Sequence, residues 1–215
     1  MFIMSTLQLT KNQDAFTGAD FYKTAPVLFK EMKATASFDF NKWDLDNLTD
    51  YIIINHHSYV KKNAVVIYDL AQAVANQHSK NHPELLKFTE ITFLFFHDLL
   101  NHLMTEEQIL IPNIRQLFKK RNFTKATNPV TFGIVRDTVS AMQKEHLAAD
   151  RYLNLFHQLT DGYKLPADAC NSYKYLFKKM KEFERNLVAQ INLENNILFP
   201  KALALADQLR KEERI

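Results

Sequence analysis

Two stretches of the chain carry the same ligand-type residues at the same spacing: His102-Leu-Met-Thr-Glu106-Glu-Gln-Ile-Leu-Ile-Pro112 and Gln190-Ile-Asn-Leu-Glu194-Asn-Asn-Ile-Leu-Phe-Pro200. At a constant offset of 88 they share the glutamate, the Ile-Leu pair and the proline, and they differ at the first position, His102 against Gln190. A side chain four residues before a glutamate lies one helical turn below it on the same face. Each copy therefore aims an imidazole or an amide, and a carboxylate, at one point. Two copies on packed helices can build a site for two metal ions.

The elements that must position these groups are long helices. Ile53, His57, Val60, Ala64, Ile67, Ala71 and Val74 recur at spacings of four and three, the core-facing stripe of a helix. Asn76 to Asn81 ends it, and Pro83 suits the first position of the next helix. There the stripe runs Phe88, Ile91, Phe95, Leu99, His102, Glu106 and Leu110, until Pro112 disturbs or ends it. A polar link from about Lys119 to Asn128 leads to a third stripe, Val135, Val139, Met142, His146, Ala149 or Asp150, Leu153 and Phe156. After the Thr160 to Pro166 turn comes a fourth, with Leu176, Met180, Phe183, Leu187, Gln190, Glu194 and Leu198, and Pro200 beyond. Four such helices predict an all-α, antiparallel up-down-up-down bundle over residues 41–215. Residues 1–40 read as an N-terminal extension with one short helix over 21–33, and Arg210 to Ile215 as a frayed tail.

In that topology His57 and His146 lie near the starts of the first and third helices, and both glutamates near the ends of the second and fourth. His57, His102, Glu106, His146, Gln190 and Glu194 thus fall in one layer of the bundle. One histidine in an apolar stripe is ordinarily a hydrogen-bonded core residue. Two carboxylates buried with it cost several kcal/mol each unless something neutralises them, and no lysine or arginine shares their layer of the stripes. Two divalent cations would do so. Imidazole with carboxylate suits iron, and also manganese or zinc, while the lack of thiolate disfavours an iron–sulfur cluster.

Composition narrows the alternatives. With 47% hydrophobic residues the chain can bury a large core, and its 3 glycines suit helices better than a many-turned β sandwich. A net charge of +3 gives no argument for nucleic acid, and the basic run Lys119-Lys120-Arg121 suits a helix C-terminus. One cysteine, Cys170, excludes an intramolecular disulfide and fits a reducing compartment. No apolar run nears the ~18 residues of a membrane span, and the first residues lack signal-peptide character. The expectation is a cytoplasmic protein, monomeric or homodimeric.

At these residues the chain resembles the hemerythrin-like (HHE cation-binding) family, and within it the di-iron branch that repairs iron–sulfur clusters. The resemblance runs from about 43 to 203. Its carriers are Trp43 to His57, His102 to Pro112, Glu145-His146, Pro166-Ala-Asp-Ala-Cys170 and Leu193 to Pro200. It implies that His57, His102, His146, Glu106 and Glu194 bind two iron ions, oxo- or hydroxo-bridged, with both glutamates shared. Asp98 and Glu145 match acidic positions close to that site. Gln190 stands where the family has a fourth histidine, and an amide oxygen is the poorer donor to late first-row metals. Asp150, one turn from His146, is a candidate substitute. No cysteine pair like that of many members' N-terminal domain occurs in residues 1–40.

The implied function is a metal-binding repair protein, rather than a conventional enzyme, acting after nitric oxide or oxidative stress. Its partners would be proteins with damaged clusters, and oxygen or nitric oxide. The alternatives are an oxygen or nitric oxide sensor, an iron store, and a bundle without metal. Cys170 reads as a small buried residue near a helix start, and His56 as partly exposed. His78, His82, His97 and His157 read as structural, and Tyr51 and Tyr59 as packing or hydrogen-bonding neighbours of the site.

Overall fold

The computed structural model describes residues 38–122 and 132–212, all within one compact unit. The short helix expected over 21–33 lies outside the described residues. Four long helices form the bundle. Helix α1 runs through Leu45–Tyr51, a π turn at Ile52–His57, and Ser58–His78. Helix α2 comprises Glu84–Thr105, a π turn at Glu106–Leu110, and Ile111–Asn122. Helix α3 is the uninterrupted Phe132–Thr160. Helix α4 comprises Asn171–Leu193, a π turn at Glu194–Leu198, and Phe199–Glu212. Helix α1 packs on α2 and α4, and α3 on α2 and the last part of α4, giving the expected all-α four-helix bundle.

The ends follow local chemistry. Asp44 caps α1, its Oδ1 accepting from the Asn47 N–H at 2.8 Å. Leu86 N–H bonds to the Pro83 carbonyl, so Pro83 opens α2 where a missing N–H is harmless. Between α3 and α4, Asp161, Gly162 and Tyr163 all have positive φ. Thr160 Oγ1 accepts from the Tyr163 N–H at 2.9 Å and holds that turn.

Neither Pro112 nor Pro200 ends its helix. A proline leaves the carbonyl four residues back without its donor and collides with it. Here the turn before each proline is widened. Ile111 N–H bonds to the Glu106 carbonyl, and Phe199 N–H to the Glu194 carbonyl, five residues back in each case. The helices then continue, and Lys119 to Asn122 and Arg210 to Glu212 are helical rather than link and frayed tail. A third widened turn, Ser58 N–H to the Ile53 carbonyl, shifts the stripe of α1 by one residue, so that Ile52 is buried in place of Ile53.

The polar layer divides the core. On one side lie aliphatic side chains such as Leu48, Ile52, Leu110, Met142, Leu198 and Ala202. On the other, Phe88, Phe95, Phe156, Phe177 and Phe183 pack mostly tilted or edge-on, with centroids 5.1–6.1 Å apart. Among the described residues no helix is long and apolar enough to cross a membrane. Phe88 is fully buried against Phe156 and Phe177. Phe88→Ala should lower the unfolding free energy by about 3–5 kcal/mol in denaturant titrations.

Candidate metal centre

The six residues singled out by the stripes are all buried: His57, His102, Glu106, His146, Gln190 and Glu194. Five of them meet. His57 Nε2 lies 3.4 Å from Glu106 Oε2 and 3.8 Å from Glu194 Oε1. His146 Nε2 lies 3.1 Å from Glu194 Oε2, and His102 Nε2 3.8 Å from Glu106 Oε2. The rings of His102 and His146 are 4.9 Å apart. Two trios could each hold an ion, His57 with Glu106 and Glu194, and His102 with His146 and Glu194; within each, the ligand atoms lie within 4.8 Å of one another. Glu194 belongs to both.

The other ring nitrogen of each histidine is fixed. Nδ1 of His57 bonds to Glu107 Oε1 at 2.8 Å, that of His102 to Glu145 Oε2 at 2.6 Å, and that of His146 to Asn195 Oδ1 at 3.0 Å. These oxygens can only accept, so each Nδ1 carries the proton. In a neutral ring, Nε2 is then a bare lone pair. Three such lone pairs point at four carboxylate oxygens, which also only accept. Accordingly, Nε2 of His57 and His146 and both oxygens of Glu106 and Glu194 lack any hydrogen bond. Nitrogen and oxygen acceptors without a thiolate, buried and facing one another, fit a hard or borderline cation.

Without a metal, protons must serve. Burial pulls the His57 imidazolium down, but Glu106 and Glu194 outweigh it and raise its pKa to about 10. His146 also moves up, burial opposing and Glu194 prevailing. Burial would push Glu194 up, yet His146 and His57 hold it far below the usual carboxylate range. Glu106 goes the other way, raised by burial and by the Glu194 charge.

The hemerythrin HHE cation-binding domain profile matches residues 49–202. The chain belongs to this family. It is also 30% identical over 160 residues to the iron–sulfur cluster repair protein YtfE of Enterobacter sp. (strain 638), covering 74% of this chain and 67% of that protein. A probable iron–sulfur cluster repair protein of Haemophilus influenzae is 29% identical over 197 residues, 92% of this chain and 82% of that protein. That of Musicola paradisiaca, again named YtfE, is 31% identical over 159 residues, 74% and 66% respectively.

Within this HHE domain the remaining candidates sort by contact. Gln190 lines a cavity of about 260 Å³ with His102, His146, Asp98, Glu145 and Tyr152, and its Oε1 has no partner. Asp98 accepts from Tyr152 Oη at 2.7 Å. Asp150 is 7% exposed, and neither carboxylate oxygen has a partner. His56 is buried rather than partly exposed, with Nδ1 3.3 Å from Asn186 Oδ1 and its ring edge-on to Tyr51, because the widened turn lets two consecutive residues face inward.

Tyr51 packs with Trp43 and Phe40, and Tyr59 with Phe183. Cys170 sits at the N-cap of α4 but is partly exposed, since the extended cap residue stands outside the packed face. His82 pairs with Asp168 at 2.8 Å, His157 with Glu184 at 2.9 Å and His97 with Asn101 at 3.2 Å, while His78 packs on Tyr173. Sequence reasoning missed Glu107 and Asn195. Each directly follows a glutamate of the duplicated motif, and that equivalence was the available signal.

The raised His57 pKa makes the metal-free fold pH-dependent. The folded protein keeps a proton that the unfolded chain releases near the ordinary histidine value of about 6.5. This stabilisation is complete below that value and is lost as pH rises through about 10. Thermal melts of chelator-stripped protein should therefore fall in midpoint from pH 7 to 10, and His57→Gln should flatten the decline.

Proposed function

We propose that the chain binds two iron ions in this layer and serves the repair of iron–sulfur clusters damaged by nitric oxide or oxidative stress. The observation that carries the metal reading is the set of buried Nε2 and carboxylate atoms that face one another without a hydrogen-bond partner. The relatives' names support the repair reading, and the donor set suits iron, with manganese or zinc as chemical alternatives. His57 with Glu106 would hold one ion and His102 with His146 the other, with Glu194 available to both. When bound, a di-iron pair supplies electrons to oxygen or nitric oxide, or an iron ion for transfer to a damaged cluster.

The protein's own part is orientation and access. Glu107, Glu145 and Asn195 hold the three rings in the tautomer that presents Nε2. The cavity beside His102 and His146 carries Phe95, Leu99 and Leu187 along with Asp98 and Tyr152. Its volume of about 260 Å³ is enough for a diatomic molecule. An amide at Gln190 weakens one of the donors and favours an iron that can leave. The domain as a whole, residues 41–215, acts in the cytoplasm on client proteins that have lost cluster iron.

Full-length protein from iron-rich medium should hold about two irons per chain, by the ligand count of two trios. Glu194→Gln should lose both, because that carboxylate belongs to both trios. Protein that neither contains nor takes up metal would overturn the reading. Mixing iron-loaded protein with a nitric oxide-damaged cluster enzyme should restore that enzyme's activity, whereas oxygen binding that reverses on evacuation, without restoration, would mark a carrier or sensor. Glu145→Gln should weaken iron retention against a competing chelator about 10–100-fold, and Gln190→His should strengthen it.

A further inference from the structure

Away from the polar layer, the first half of α4 carries a second concentration of charge. Lys174, Lys178, Lys181 and Arg185 follow one another at spacings of four, three and four, which puts them in a single stripe on that helix. All four are exposed, and all four line one cavity of about 260 Å³. The turn that joins α3 to α4 supplies Tyr163 and Leu165 to the same lining. Glu182 is the one acid there, so four cations and one carboxylate leave the cavity a net charge of +3.

A solvated helix face ordinarily mixes signs, because like charges three or four residues apart repel. Here three successive neighbours on the stripe are alike in sign. Glu182 answers them only in part, lying 4.0 Å from Lys178 and 3.7 Å from Lys179, which is outside the lining. Among the described residues no carboxylate pairs with Lys174, Lys181 or Arg185. The neighbouring turn is held firmly. Tyr163 is 2% exposed and has φ 61°, after Asp161 at 49° and Gly162 at 68°. A tyrosine in the left-handed region is strained, and packing against His157 and Phe177, at 4.9 and 5.6 Å between ring centres, keeps it there. Lys181 Nζ lies 6.0 Å from the centre of the same ring, so the stripe and the turn meet.

We propose that this cavity binds a di- or triphosphate group, either free or carried by a nucleoside. A single carboxylate would leave most of the positive charge unanswered, whereas adjacent phosphates bring several negative charges in one small ion. Lysine ammoniums meet phosphate as point charges, and the Arg185 guanidinium as a two-pronged donor. The volume lies just below the range of about 300–1,000 Å³ usual for drug-sized ligands. It therefore suits the phosphates alone, and an attached nucleoside would extend outside, where Leu165, 43% exposed, offers apolar contact. None of the lining residues is a proposed metal ligand, so this site stands apart from the metal reading.

The test is calorimetric titration of full-length protein with inorganic pyrophosphate, ATP without magnesium, and inorganic phosphate, at low and at high salt. One pyrophosphate or ATP should bind per chain, more tightly than inorganic phosphate, with an affinity that falls as salt rises. Lys181→Gln and Arg185→Gln should each weaken binding about tenfold or more, as expected for hydrogen bonds to charged groups. Both variants should melt no lower than wild type, because each removes like-charge repulsion from α4. Lys174→Gln is read in the same way should either variant not melt cooperatively. Arg210→Gln, which removes an exposed cation outside the cavity, should leave binding unchanged. Equal affinity for the two polyphosphates identifies the free anion as the ligand, and tighter binding of ATP a nucleoside-borne one. Binding of neither would overturn the proposal. So would binding that survives the lining substitutions unchanged, since the probe would then sit on a metal ion or elsewhere.

Discussion

Acceptors facing acceptors in the middle of the bundle are the constraint around which the rest of this structure is arranged. Three imidazoles have their Nδ1 protons committed to Glu107, Glu145 and Asn195, so their Nε2 lone pairs point inward at Glu106 and Glu194. No rotation of these side chains about their own bonds converts that into hydrogen bonding without adding positive charge. The apolar packing on both sides, aliphatic toward one end and aromatic toward the other, offers these groups no donor. The polar layer is therefore unfavourable by itself and becomes favourable when cations occupy it, which is how folding and metal binding come to be linked.

The widened turns are the backbone's contribution. Both glutamates open a π turn, and in both cases a proline follows six residues later, at Pro112 and Pro200. A proline in a regular helix would strip a hydrogen bond and bend the axis. Widening the turn just before it moves the irregularity to Glu106 and Glu194, the buried carboxylates of the polar layer, and such turns are often found at functional sites. It also brings the next residue to the site's edge, so Glu107 reaches His57 and Asn195 reaches His146 from the same motif that supplies Glu106 and Glu194.

This explains what could be read from the sequence and what could not. Hydrophobic stripes at 3.6 periodicity located four helices and six inward-facing polar residues, because regular helices make face and spacing equivalent. The same rule failed wherever the helix was not regular. The stripe puts Ile53 inside and Ile52 is there, His56 reads as partly exposed and is buried, Pro112 reads as disturbing or ending its helix and Pro200 as lying beyond the last stripe, and both sit inside continuing helices. A widened turn adds one residue per turn, and nothing in a period of 3.6 announces it. Glu107 and Asn195 were hidden for that reason, though their matching places in the duplicated motif would have revealed them.

The duplication is exact in the carboxylates and inexact in what surrounds them, and the differences bear on chemistry rather than fold. His102 of the first copy becomes Gln190 in the second, exchanging an imidazole for a neutral amide. The residue that orients the ring also changes, from Glu107 to Asn195. A carboxylate behind an imidazole makes it the more electron-rich donor. Glu107 is shared with Lys61, whose Nζ lies 2.7 Å from Oε2, and burial notwithstanding, Lys61 and His57 hold its pKa low. Its charge is thus already partly answered before it reaches His57. Glu145, half exposed and without such a lysine, polarises His102 more fully. Asn195 can polarise His146 only as a dipole. Three histidines that look equivalent by spacing therefore have unequal partners behind them: a carboxylate, a carboxylate shared with a lysine, and a neutral amide. A pair of ions held between them would experience different fields even if every first contact were the same.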